Sequence, residues 1–375
     1  MRFLALALTT ALAAGIAATT APAAGHGLPS RPVLRATGTV TALAAAGPNV
    51  AVAVNDTRAG SCVLRVADLL HGGAFRRLAG PQQCQRSAGG SLARVDAIAL
   101  GRKTMAITVL DLPSPHGETL SLSTGPIASA TPLRPFGSPW GWSDSSADVP
   151  AGQGPLGCAQ TAAQGGGVIA LVAGPNRLAL DNFGGATPAC ARAAGQTATT
   201  HLTLRDASRS TLTLPGSWSL LATDGRRLLL AGLDDNGVPT GQLSLRSLSG
   251  AALPTPQVPA SAVRSASSGW LVPGAVILRT GGQIQAWPTG KRSWTIAGMQ
   301  GESATVANGR LLYVHGTTVR VRRISDGRDR LIAALPTPRA KVAAGSFGLA
   351  VALDKRGSAE VYRLPWRTID AVLPA

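Results

Sequence analysis

The sequence predicts an all-β fold, a β-propeller of about seven blades, each a four-stranded antiparallel sheet. Three observations predict it. Gly-punctuated apolar segments recur along most of the chain, and self-similarity of this kind marks a repeat architecture. The segments are short and rich in Val, Leu, Ile and Ala, at strand length and below helix length. Gly (45) and Pro (26) are abundant in the 375 residues, which suits many turns and few long helices.

The repeat is clearest near the C-terminus. Ser268 to Gly274 is followed by Ala275 to Gly281, then Gln283 to Trp287, a Thr289-Gly290 turn and Ser293 to Ile296. Glu302 to Gly309, Arg310 to Gly316, Thr318 to Arg322, an Asp326-Gly327 turn and Arg330 to Ile332 match it element for element. The same Gly-then-apolar signal stands at Gly47, Gly101, Gly174, Gly225, Gly274, Gly309 and Gly345. These anchors recur at the roughly 35–55 residues expected of a propeller blade, with one longer interval. That interval is read as a loop insertion at about 136–157 in a single domain spanning 31–375.

Within each unit the pattern is graded. Val50 to Val54 and Met105 to Val109 are nearly continuous apolar runs, whereas Val319 to Arg322 alternates apolar and charged residues. A strand packed on both faces wants the first pattern, and a strand nearer the outside needs only one apolar face. A sheet of this kind cannot bury both its faces alone. Stacking several around an axis covers each face with a neighbour and leaves short, protected edges. Ring closure then needs an outer strand for the last blade. Pro32 to Arg35 would supply it beside Glu360 to Leu364; the alternative is Trp366 to Val372.

With these residues in view, the chain resembles secreted bacterial β-propellers of the loosely defined YVTN or quinoprotein-like kind. The regular Gly-His and Trp-Asp signature of WD repeats, the double glycines of kelch repeats and the tryptophan docking motif of quinoprotein dehydrogenases are not found. The resemblance therefore implies architecture and no particular ligand.

The N-terminus reads as a secretory signal peptide over residues 1–24. Met1-Arg2 gives a short positive start, Phe3 to Ala18 an apolar stretch, and Ala21-Pro22-Ala23 a small-x-small cleavage site. The stretch is short for a membrane span, and later apolar runs are shorter still. A soluble exported chain without a transmembrane segment is expected, extracellular or, in a host with an outer membrane, periplasmic. Four cysteines, Cys62, Cys84, Cys158 and Cys190, suit disulfides in that setting. Of the three pairings, Cys62–Cys84 with Cys158–Cys190 fits best, because each pair brackets one repeat unit.

The formal net charge is +17, from 35 basic and 18 acidic residues. Almost all the basic residues are Arg, which is also what GC-rich coding produces. A diffusely positive surface and a functional basic patch are both compatible with this excess. The densest stretch is Arg320, Arg322, Arg323, Arg328 and Arg330.

Motifs for chemistry are sparse. Gly89 to Ala93 departs from G-x-S-x-G at its last residue. Gly152-Gln-Gly-Pro-Leu-Gly157 matches a dinucleotide fingerprint in letters but sits in a Pro-containing loop with no helical pattern after it. The five histidines, His26, His71, His116, His201 and His315, lack metal-type spacing. Asp234-Asp235-Asn236-Gly237 is explained as a hairpin turn. No catalytic residue, cofactor or metal is therefore assigned. The ligand-binding candidates are Trp140, Trp142 and Asp144, in the Gly/Ser/Pro-rich insertion, where aromatic rings can stack on a sugar or a partner.

The expected function is that of an exported, monomeric, non-catalytic binding or scaffold protein. It would use its loop faces for a protein partner or a cell-envelope glycan or polyanion; nucleic acid is not expected. The alternative is a secreted glycan hydrolase, lyase or lactone hydrolase with its site in the central channel, which would require acidic or histidine side chains to converge there.

Overall fold

A computed structural model describes residues 27–56, 61–78, 94–101, 103–114, 117–127, 134–135, 140–143, 168–173, 178–182, 199–205, 209–234 and 238–374. The expected leader, 1–24, lies outside them, as do Cys84, Asp144, Cys158 and Cys190. No helix among the described residues is long and apolar enough to cross a membrane.

The fold is an all-β propeller. After β1 (Leu34–Thr37), the chain forms one antiparallel sheet after another. The first holds β2 (Thr39–Ala46), β3 (Asn49–Asp56), β4 (Ser61–Asp68) and β5 (Arg76–Arg77). The second holds β6 (Arg94–Leu100), β7 (Thr104–Ser114) and β8 (Gly117–Pro126), with β9 (Arg134–Pro135) and β10 (Trp140–Ser143) both paired to β8. The third holds β11 (Val168–Ala173), β12 (Leu178–Asn182), β13 (Thr199–Arg205) and β14 (Arg209–Pro215). The fourth holds β15 (Trp218–Thr223), β16 (Arg227–Leu233), β17 (Pro239–Ser247) and β18 (Ala252–Leu253). Helix α1 (Ala260–Arg264) then leads to β19 (Ala266–Val272), β20 (Ala275–Thr280), β21 (Gln283–Pro288) and β22 (Trp294–Ile296). The next sheet is β23 (Ala304–Ala307), β24 (Arg310–His315), β25 (Thr318–Arg323) and β26 (Asp329–Ala334). The last is β27 (Ala340–Gly345), β28 (Gly348–Lys355) and β29 (Ser358–Leu364), with β1 as its outer strand. Helix α2 (Trp366–Val372) ends the chain.

The expectation that every blade is four-stranded is corrected. Among the described residues six sheets are four-stranded, and the sheet around β8 has five strands. The extra strand falls inside the segment expected to be a loop at about 136–157. Trp140 to Ser143 pairs antiparallel with β8, Trp140 opposite Leu120 and Trp142 opposite Glu118. Long β7 and β8 leave a free edge beyond two-residue β9, and an aromatic-rich tetrapeptide is a good strand former for it. The rest of the expected insertion lies outside the described residues.

The described anchor glycines stand at or beside one recurring place, the hairpin between the first and second strand of a blade. Gly47, Gly225, Gly274 and Gly309 all have positive φ there. The strand after each hairpin is the most buried. β3, β16 and β28 are buried almost end to end, while β25 alternates as its sequence predicts. The innermost strands β2 and β23 are less buried than their Ala-rich sequences suggest, and β23 is half-buried throughout. The reason is that they face an axial cavity and not a filled centre.

Ring closure follows the first of the two routes. β1 pairs with β29 in the register Leu34 to Val361 and Arg35 to Glu360. Trp366 to Val372 is a helix and not a strand, because β1 already occupies the edge of β29. Pro365, at φ −63, starts the helix. Ile369 in the helix and Leu373 just after it sit in the apolar core shared by the last two blades.

Candidate binding face at the axial cavity

In an antiparallel four-stranded blade, the first-to-second and third-to-fourth hairpins lie at the same end. All blades thus present these turns on one side of the ring, the hairpin face. The first-to-second hairpins surround a cavity of about 1050 Å³ on the axis, lined among others by Gly47, Asp224, Arg226, Val272, Gly309 and Ser346. Most of its wall is backbone and small apolar side chains.

One blade supplies the charge. Asp224 Oδ1 accepts the backbone N–H groups of Arg226 (2.9 Å) and Arg227 (2.8 Å). Its Oδ2 accepts Arg227 Nε (2.8 Å) and Nη2 (2.6 Å). Thr223 Oγ1 donates to the Arg227 carbonyl and accepts the Gly225 N–H. Asp224 is thereby committed on both oxygens. Arg226 is left exposed with no ion pair among the described residues. Asp224 is the only acid in the described wall, and no group of three His, Cys, Asp or Glu that could hold a metal occurs among the described residues.

A second hollow of about 460 Å³ shares one wall residue, Ser346, with the cavity. Phe347, Arg363, Pro365, Trp366 and Arg367 complete it. Trp366 Nε1 donates to the Gly345 carbonyl (2.9 Å), and Arg363 Nε to the Phe347 carbonyl (3.3 Å). Sequence reasoning missed this site; the available signal was two Arg flanking a Pro-Trp pair, Arg363-Leu-Pro-Trp-Arg367.

Much of the densest basic stretch is tied into the fold. Arg320 pairs with Asp329 (3.2 Å), which also accepts the Tyr313 hydroxyl (2.5 Å). Burial and that carboxylate push the Tyr313 phenol well above its ordinary range. Arg322 lies over Trp294, 4.7 Å from the ring centre, and donates to the Gly327 and Thr295 carbonyls. Arg323 holds Asp326 and the Pro374 carbonyl, and Arg328 also pairs with Asp326.

The expected ligand residues are not brought to the axis. Trp140 and Trp142 belong to an outer strand of the second blade, and Asp144 lies outside the described residues. Of the cysteines, Cys62 is buried on β4 opposite Asn55.

No protein-family profile and no curated protein sequence matches the chain. Among solved structures, it is similar to PorZ, a bacterial surface component of the type-IX secretion system of Porphyromonas gingivalis, at 13% identity and a TM-score of 0.45, covering 88% of this chain and 38% of that one. A prolyl endopeptidase is similar at 15% identity and a TM-score of 0.45, covering 89% and 47%. The β-propeller domain of the Trilobed protease from Pyrococcus furiosus is similar at 11% identity and a TM-score of 0.41, covering 80% and 85%. The chain thus spans less than half the length of the first two. At such identities the likeness concerns the fold alone.

Proposed function

We propose that the chain is an exported, non-catalytic binding module that engages a partner protein or a cell-envelope polymer through its hairpin face. The observation that carries this reading is the axial cavity. It is large, open to one face and walled mainly by turns and apolar groups, with Asp224 already neutralised by Arg227. A hydrolytic or metal-assisted site needs an acid, base or metal-bound water aimed at a substrate. A wall of this composition offers shape and backbone hydrogen-bonding groups instead, as binding clefts do.

The test is to purify the mature chain from the medium, incubate it with cell-envelope fractions and map protected residues by hydroxyl-radical footprinting. Retention on an envelope fraction with protection at Val272, Asn308 and Ser346 is expected. Breakdown of an envelope glycan or lactone by the purified chain would replace this reading with the enzymatic one.

A further inference from the structure

We infer that the axial cavity receives an extended apolar segment of a partner protein, flanked by an acidic residue that meets Arg226 at the mouth. This rests on the reading above and names the chemistry of its partner.

The first support is the backbone of the wall. The first strand of each blade pairs on one side only. The other edge of such a strand keeps its N–H and C=O groups unpaired unless something meets them. Deeper in the ring, neighbouring blades do so. Val40 N–H donates to Asp354 Oδ1 (2.7 Å), and Val342 N–H to Ser303 Oγ (2.9 Å). Beside the cavity, the free edges of β19 at Trp270 to Val272 and of β23 at Thr305 to Ala307 make no hydrogen bond among the described residues. An extended peptide can meet such edges with its own main chain, whereas a hydrocarbon tail would leave them unpaired.

The second support is the side chains between those edges. Ala45, Val272, Val306 and Ala344 give the wall small apolar surfaces, which suit apolar side chains of a peptide. A glycan would find one aromatic ring in the described wall, Trp270, and Arg279 already lies over it, 5.9 Å from the ring centre.

The third support is the charge of the wall itself. Asp224, Arg226 and Arg227 are its charged residues among those described. Asp224 is paired with Arg227, so the one unspent charge of the described wall is the exposed guanidinium of Arg226. A carboxylate meets a guanidinium with two parallel N–H···O bonds. An Asp or Glu beside the inserted apolar residues therefore completes the mouth.

The experiment pans the full chain, immobilised, against phage-displayed random peptides of about twelve residues and remeasures the enriched sequences as synthetic peptides. Enriched peptides are expected to carry a short apolar run with Asp or Glu beside it. Val272→Arg in the wall should weaken them by about tenfold or more. Arg226→Glu should weaken them by about tenfold, and replacing the peptide's acid by Lys should reverse that preference. Methylating the peptide N–H groups of the apolar run should also cost about tenfold. Arg226 is exposed, so its variant keeps the test readable if Val272→Arg fails to fold. No enrichment, enriched peptides without an acid, or affinity unmoved by Arg226→Glu or by methylation would overturn the proposal. If no peptide is enriched while an envelope polymer protects the hairpin face in the footprint, this inference fails and the broader binding function stands. If nothing binds that face, both fail.

Discussion

Arg35 and Glu360 join the two ends of the chain across the outer edge of the last blade. Arg35 Nε donates to Glu360 Oε1 at 2.9 Å, and its Nη2 lies 2.8 Å from the same oxygen. Glu360 is 3% exposed and also accepts the Tyr362 hydroxyl at 2.6 Å. The residues are directly opposed in the β1–β29 register, so the pair tops up a ladder that already holds the ring shut.

The clasp should respond to acid. The Tyr362 hydroxyl, and after it Arg35, hold the Glu360 carboxyl below its ordinary range against the opposing effect of burial; Tyr362 in turn is pushed up to about 12 by burial and by Glu360. A carboxyl depressed in the folded state contributes stability above its unfolded pKa, and that contribution fades as pH falls through the folded value. Urea unfolding should therefore show Glu360→Gln less stable than the parent by about 1–3 kcal/mol at pH 7. The gap should narrow once the pH drops below about 4. An unchanged gap at pH 3 would contradict this role.

Glycine is required where strands of neighbouring elements touch. At Gly348, φ is +118 and an added methyl would be driven into the Leu364 carbonyl oxygen. Gly348→Ala should cost about 3 kcal/mol or more, combining backbone strain with displacement of packed backbone. Gly47, at φ +54, has open space around the same position, so Gly47→Ala should cost only about 1–2 kcal/mol. Thermal unfolding of the two variants side by side tests the contrast.

Helix α2 is held by a buried cation. Arg310 is 1% exposed, pairs with half-exposed Asp370 at 2.6 Å and lies 5.7 Å from the centre of the Trp366 ring. Removing the carboxylate leaves a guanidinium under the helix without its counter-charge. Asp370→Ala should lower stability by about 1–3 kcal/mol, discounted for the exposed carboxylate. Limited proteolysis should then cut at 365–374 well before the blades. Equal resistance in parent and variant would show that the pair does not fasten the helix.

The cysteines carry a prediction that rests on sequence alone. Peptide mapping of the protein under non-reducing conditions should find Cys62 with Cys84 and Cys158 with Cys190. Reduction should lower stability by about 3 kcal/mol per bridge. A map with crossed pairs would refute the one-bridge-per-unit reading.

The fold was readable because its main signals are local. Gly47, Gly225, Gly274 and Gly309 announce hairpins through backbone freedom, and Val50 to Val54 announces a strand covered on both sides. The outer edges were less readable. Whether Trp140 to Ser143 pairs with β8 depends on how far β9 covers that edge, which no local pattern states. The site was least readable of all. Arg320 to Arg330 is the densest run of charge in sequence, yet Asp329, Asp326 and Trp294 consume much of it. Arg226 and Arg367 stand isolated in sequence and are brought to one face only by the ring. Free charge is a property of what surrounds a residue, and periodicity carries no record of that.

The outer strand of the last blade, β1, is the earliest of the described strands in the chain, and its partner β29 is the latest. Every product that stops short of Leu364 is consequently an arc with two open ends, whatever the quality of its finished blades. Closure of the ring is therefore tied to completion of β29, and until then the last blade keeps an unpaired strand edge.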